Sequence, residues 1–330
     1  MKKIVGLIIL TISCFVFTGC FGGKNDIIAD FKKKVEKTKS YYITGELEIM
    51  NNEDSHKYNI EVSYKRSDKF RVSLKNKTNN HEQIILKNNE GVFVLTPSLN
   101  KSFKFQSEWP YNNSQSYLLQ TLVTDIDSDK DTKIVEKKKQ YIVTTKVNYP
   151  NNSSLIKQKI YFDKKGNIKK VEVINNEGIV KIKMTYNKVD MKASFDKNYF
   201  DLNENMSVSA DTKETINQIE DIIYPMYMPE NTYLESQETI KTTDGERVIL
   251  TFAGESPFMI VEETVNSETE NVVVPVYGDP VMMVDSIGSM TDNSANWISN
   301  GVEYYAVSEV LNSEELLEVV NSISTIPIGK

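Results

Sequence analysis

Apolar and polar residues alternate through the stretch from Glu61 to Gln106. Ile60, Val62 and Tyr64 alternate with polar neighbours, as do Phe70, Val72 and Leu74, then Ile84 and Leu86, and later Phe103 and Phe105. A period of two puts the apolar set on one face of a pleated sheet and the Lys, Arg and Gln residues on the other. The pattern predicts a β-meander whose single apolar face needs a cover. Ahead of it, Ile27, Phe31, Val35 and Thr38 recur at helical spacing, which predicts an amphipathic helix from Asp26 to Lys39. Tyr41, Ile43, Gly45, Leu47 and Ile49 then alternate as a strand. Glu90 to Pro97 reads as a turn, a buried strand and a stop.

From Ser114 to Ile126, Leu118, Leu119, Leu122 and Val123 return to helical spacing behind the polar residues Asn112, Asn113 and Ser114. This helix is the natural plug for the apolar face. Strands resume over Tyr141–Val147 and Ile156–Phe162. A turn at Asp163–Asn167 leads into Ile168–Val173, and Val180–Tyr186 closes the set. About eleven strands with few helices imply an α+β fold, a curved antiparallel sheet or half-barrel holding helices inside.

The remainder patterns differently. Asp211 and Glu214 have the spacing of a helix cap, ahead of a stripe of Ile216, Ile219, Ile222 and Ile223 that Pro225 ends. Pro225-Met226-Tyr227-Met228-Pro229 reads as an extended linker. Val248–Phe252 and Phe258–Glu262 read as a hairpin around Gly254-Glu255-Ser256-Pro257. Val281–Asp285 and Glu303–Val307 are short strands, and Asn312 caps a final helix carrying Leu316, Leu317, Val320 and Ile323.

The first residues are not fold. Lys2 and Lys3 precede an apolar run from Ile4 to Phe17, too short to span a membrane comfortably and flanked as a signal peptide is. Cys20 after Thr18-Gly19 resembles a bacterial lipobox, with Phe17 where such boxes usually carry Leu. In that chemistry the cysteine thiolate takes the lipid, and two or more acyl chains anchor a protein stably. Cys14 would leave with the leader, so the exported chain would hold no disulfide and must stand on its buried core. The expected address is the outer face of the cell membrane, held through Cys20.

Charge divides the chain as well. From Phe21 to Phe200 there are 33 Lys and Arg against 22 Asp and Glu; from Asp201 to Lys330 there are 4 against 24. Net charges of +11 and −20 place a domain boundary near residue 200. Hydrophobic content of 39% with 26% charged residues fits a globular protein. The basic half carries Lys almost throughout and Arg only at Arg66 and Arg71, which argues against bidentate phosphate readout. No nucleic-acid partner is expected of an exported chain. Lys32, Lys33, Lys34, Lys37 and Lys39 lie just beyond Cys20. Each could add about 1 kcal/mol beside an anionic leaflet, while the plainer reading is the solvated face of a helix.

Candidate chemistry is thin. His56 and His81 sit in polar, turn-like stretches outside any zinc spacing and are expected at the surface. Gly254-Glu255-Ser256-Pro257 lacks the features of a nucleophile elbow. Asp125, Asp127, Asp129, Asp131 and Glu136 have the spacing of a calcium loop, but Lys130 stands where Gly makes the sharp turn, so an acidic loop is the expectation. No metal, no cofactor and no catalytic residue are expected, and the protein reads as a non-enzyme.

The order of elements carries a resemblance. The Lys69-Phe70-Arg71 strand start, the turn at Glu90-Gly91 into an aromatic strand that stops at Pro97, and the internal helix resemble the lipoprotein-carrier superfamily of LolA and RseB over roughly residues 25 to 205. Phe70, Arg71, Gly91 and Pro97 are the motif positions. The resemblance implies a half-barrel whose concave face takes acyl chains, with Phe93, Leu95, Phe103, Phe105, Leu118, Leu119 and Leu122 lining the cavity. The periodicities by themselves read equally as a filled core. A chain fixed at Cys20 could not shuttle between membranes, so docking or sensing is favoured over transport.

A second resemblance rests on Tyr224 to Pro229, Thr251 to Phe258, and Trp297 to Tyr305 with Glu314-Glu315-Leu316-Leu317. Together the halves are similar to the sporulation and germination lipoproteins of endospore formers, of the GerS and YdcC type. The GerS type implies support of a cortex-lytic amidase; the additional C-terminal half favours the YdcC side. The resemblance thus implies a signal peptide over 1–19, a tether over 20–25, a LolA/RseB-like domain over 26–205 and a small acidic α+β domain over 206–330. It implies a protein partner, an amidase or a regulator, with an acyl chain as the alternative ligand. A peptidoglycan-acting enzyme is the least favoured reading.

Overall fold

The computed structural model describes residues 24–51, 54–207, 219, 221–242, 245–265, 272–283 and 285–323. The leader, Cys20 and the cap at Asp211 with Ile216 lie outside the described residues.

Eleven strands of the first half form one antiparallel run: β1 (Ser40–Asn51), β2 (Asp54–Lys65), β3 (Lys69–Asn76), β4 (Glu82–Asn88), β5 (Gly91–Thr96), β6 (Lys101–Phe105), β7 (Lys133–Lys137), β8 (Gln140–Lys146), β9 (Leu155–Asp163), β10 (Ile168–Asn175) and β11 (Val180–Asp190). Two meanders, β1–β6 and β7–β11, meet where β1 pairs with β11. That seam contains a bulge at Thr44/Gly45. A Cβ at Gly45 would stand 2.2 Å from the Thr185 carbonyl oxygen, so the close approach requires glycine.

Helix α1 (Lys24–Lys37) and helix α2 (Leu119–Ser128) pack on one face of this sheet. Phe31 and Val35 of the first helix and Leu119, Leu122 and Val123 of the second join Ile43, Leu47, Ile60, Val62, Phe70 and Val72 in the main core. Each side chain fully buried this way contributes about 1.5–3 kcal/mol. Rings run in contact through it, Tyr41 on Tyr64, Tyr64 on Phe70 and Phe70 on Trp109.

The meander was expected to have one apolar face, and here the structure differs. Ile85 pairs with Val72 and shares its face, so Ile84 and Leu86 point the other way. With Phe93 and Leu95 they form a second cluster under Phe200 and Met206, the latter in α3 (Leu202–Ser207). Three apolar residues in succession at Ile84-Ile85-Leu86 and four at Val92 to Leu95 are the mark of a strand buried on both faces. Helix α2 also starts later than its pattern suggests. Its cap is Leu118, with no side-chain bond, because the Ser114 hydroxyl is engaged elsewhere.

The second sheet is built from β12 (Thr232–Thr242), β13 (Gly245–Gly254), β14 (Phe258–Thr264), β16 (Asp279–Met282), β17 (Ile287–Met290), β18 (Ser294–Ser299) and β19 (Val302–Val307). Helix α4 (Ser313–Asn321) packs Leu316, Leu317, Val319 and Val320 into its core. Asn312 caps that helix as expected, accepting from the Glu314 and Glu315 amides while Glu315 reaches back to the Asn312 amide. Ile222 and Ile223 are outside any helix and pack against the same core.

One strand crosses over. β15 (Val272–Val276) leaves the acidic half and pairs in parallel with β6, becoming the edge of the first sheet, now twelve strands wide. Pro275 lies in it, as an edge strand permits. Val274 and Val276 pack on the main core, as do Val265, Ile287 and Ile298. The boundary near residue 205 therefore marks a change of sheet that the chain later recrosses.

Candidate functional site

Where the halves meet, an open cleft of about 830 Å3 remains. Leu47, Ile49 and Met50 of β1, His56 of β2, Ile85 of β4 and Ile182 of β11 form one wall. The loop 113–117 ahead of α2 and the loop 149–155 between β8 and β9 form a second. Met226, Tyr227, Pro280 to Met283, Ile287 and the α4 side chains Glu314, Leu317, Glu318 and Asn321 close it from the acidic half. The floor is apolar because buried faces of both sheets converge there. The rim carries amides and carboxylates, with Met226 84% and Tyr227 43% exposed at the mouth.

Contacts across the cleft fix its width. Ser153 Oγ donates to both Glu314 carboxylate oxygens, at 3.0 and 2.8 Å, and the Ser154 amide donates to one of them at 3.2 Å. The Gln83 side chain behaves as a piece of strand: its Oε1 accepts from the Ile287 amide at 2.7 Å and its Nε2 donates to the Ile287 carbonyl at 3.4 Å. Asp279 accepts from Ser107 and, at 2.6 Å, from the Asn112 amide. Lys101 pairs with Glu303. These contacts are charge-assisted or partly buried, so each holds more than a surface pair does.

Behind the loop wall lies Asp125. Burial pushes its carboxyl up to about 6, partly opposed by Ser114 donating at 2.8 Å and Gln158 at 2.7 Å. Burial also raises the phenols of Tyr117, Tyr149 and Tyr186, with Asp125 adding to the effect on Tyr149. This layer thus favours neutral groups over charged ones.

The residues singled out from the pattern fall elsewhere. Phe103, Phe105, Leu118, Leu119 and Leu122 are buried in the main core, and Phe93 and Leu95 in the cluster on the opposite face. The seven share no chamber, and none borders the cleft. Phe70 is fully buried in the ring chain. Arg71 ties the opposite face together, donating to Asn205 Oδ1 at 2.6 Å over the Tyr199 ring. Gly91 takes a φ of 141° in the β4–β5 turn, and Pro97 opens a short 3-10 turn. His56, expected at the surface, is 6% exposed and faces the cleft. The acids with calcium-loop spacing do not converge: Asp125 turns inward, Asp127 pairs with Lys32, Asp131 with Lys146 and Glu136 with Lys164. Among the described residues no cluster of His, Cys, Asp and Glu could hold a metal.

Sequence reasoning missed the cleft because its lining comes from eight separate places in the chain. The one local signal was the exposed Met226-Tyr227 pair in a proline-bracketed segment.

No family model matches the chain. Over 328 residues, 98% of this chain and 97% of its counterpart, it is 34% identical to the sporulation protein YdcC of Bacillus subtilis (strain 168). The chain belongs to the YdcC family. Among solved structures, the MucA/MucB complex of Pseudomonas aeruginosa matches with a TM-score of 0.33 and 11% identity, over 90% of this chain and 97% of that one. The CwlD amidase from Clostridioides difficile in complex with the GerS lipoprotein matches with a TM-score of 0.31 and 18% identity, over 53% of this chain and 97% of that one. The YdcC relationship runs through both sheets and both walls of the cleft, since it spans nearly the whole chain.

Proposed function

We propose that this YdcC-family protein is a non-catalytic, lipid-anchored lipoprotein of the outer membrane face, joined to the bilayer through Cys20, that holds a protein partner during sporulation in the cleft between its halves. The observation that carries the reading is the cleft itself: an apolar floor and a polar rim supplied jointly by both sheets, held at fixed width by Ser153, Ser154 and Glu314. Apolar floor with polar rim is the anatomy of a protein interface. The sporulation role follows the name of the Bacillus relative. The amide, hydroxyl and apolar character of the lining favours gripping over reaction.

The reading predicts that a photo-crosslinker placed at Tyr227 captures one discrete protein in sporulating cells. Leu317→Arg should abolish that product while the variant keeps its melting temperature within a few degrees. A crosslink pattern unchanged by Leu317→Arg would sink the proposal. A second reading, an acyl chain as ligand, is favoured by the apolar floor of Leu47, Ile85, Leu155, Met282 and Leu317. Native mass spectrometry separates the two, since an acyl occupant adds a discrete lipid mass to the wild type that Leu317→Arg removes.

A further inference from the structure

Strand order places the basic side chains of the first half at one end of the molecule. The β2–β3, β7–β8 and β9–β10 turns all lie at the same end of the antiparallel sheet, because Ser40 pairs with Lys65, Tyr42 with Asp190, and Gln140 with Asp163. Helix α1 runs along this end. The β9–β10 turn approaches its first turn, with a Cβ at Gly166 placed 3.7 Å from Ile27. Near its last turn, Arg66 of the β2–β3 turn donates to the Glu36 carbonyl at 2.7 Å.

The turns and helix present a basic surface. Lys137, Lys138 and Lys139 at the β7–β8 turn, with Lys165 at the β9–β10 turn, are exposed. None of these four forms an ion pair among the described residues. Lys33, Lys34 and Lys37 are exposed along α1, and Lys65 with Arg66 on the neighbouring turn. Several acids at this end are already engaged: Glu136 by Lys164, Asp163 by Lys169 and two turn amides, and Asp68 by Lys87. Asp30, Glu36 and Glu90 are exposed there.

The acidic half docks at the opposite end. Its contacts with Asn79, Gln83, Lys101, Ser153 and Ser154 all fall at the far ends of their strands. Charges of +11 and −20 are therefore separated along one axis. The polypeptide preceding α1, with its apolar run and Cys20, joins at the basic end.

We propose that this basic end, formed by α1 and the β7–β8 and β9–β10 turns, seats on the phosphate headgroups of an anionic lipid bilayer and points the acidic half and the cleft away from it. The occupant follows from charge complementarity and from the position of the chain's start. Screening confines the attraction to lysines within about 8 Å of the surface. The same field repels the acidic half, so it sets orientation as well as affinity.

The full chain tests this on vesicles of phosphatidylcholine with and without phosphatidylglycerol. The ratio of the two partition coefficients cancels whatever the apolar leader contributes to both. Expected for the wild type at low salt is a ratio of about 30 or more, given several lysines in reach of the headgroups. Lys137→Glu, Lys138→Glu and Lys165→Glu together should bring it below about 3. The matched change Lys75→Glu, Lys130→Glu and Lys133→Glu, on exposed lysines at the other end, should leave it within about threefold of wild type. Circular dichroism confirms that each variant is folded. A wild-type ratio near one, or equal losses in the two variants, overturns the proposal. So does a polyglutamate peptide that displaces the protein from anionic vesicles at equal charge concentration, which would assign the face to an acidic protein.

Discussion

The two halves each bury a carboxylate, and they treat it differently. Asp125, in the first half, lies behind the cleft wall with two side-chain donors, Ser114 and Gln158. Glu262, in the second, is on β14 beside Ile260 with no exposed surface. One of its oxygens accepts from the Ile223 amide at 3.0 Å; the other has no hydrogen-bond partner. Burial pushes Glu262 up to about 7, further from its ordinary value than Asp125 moves at about 6. A buried carboxylate with fewer donors loses more on ionising. The first half is a large aromatic core that supplies its one buried acid with partners. The second is a smaller, acidic layer that depends on neutralising its own.

The largest expected effect sharpens this contrast in packing. Phe70→Ala removes the ring linking Tyr64 to Trp109 and should cost about 3–5 kcal/mol in denaturant unfolding. A cost below about 1 kcal/mol would show that the ring chain is not a single packed unit.

The second effect tests the acids. The folded-state pKa of Glu262 is raised above its unfolded value, so the native state binds more protons between the two. Its contribution is fully present below about pH 4.5 and is lost as pH rises through about 7. Glu262→Gln should flatten the stability profile over that window by on the order of 2–3 kcal/mol. Asp125→Asn should do the same between about pH 4 and 6, with a smaller amplitude of roughly 1–2 kcal/mol. Parallel profiles for wild type and Glu262→Gln would break the comparison. The smallest effect is local: Asn312→Ala should cost about 1 kcal/mol through the lost α4 cap, seen as a small drop in melting temperature.

Strand identities in the first half were legible because each strand reports its own alternation. The Asn312 cap was legible because capping is local and chemical. The second half read poorly. β12 carries Tyr233, Leu234 and Ile240 on a largely exposed edge, so it lacks the half-buried pattern that announces a strand. β17 and β18 are short and rich in Ser and Gly, and pair only through tertiary context. His56 was placed at the surface because its neighbours are polar, and nothing local could report that the acidic half would cover it.

Local pattern alone determined the meander, the two amphipathic helices, the capped terminal helix and the reversal of charge near residue 200. Each depends on residues close together in the chain. Tertiary structure decided which face of β4 and β5 met which core, and sent β15 back to the first sheet. It also opened a cleft where residues from Leu47 to Asn321 converge. Those outcomes depend on pairings between segments up to hundreds of residues apart, where many registers satisfy the same periodicity and only the packing of the whole selects one.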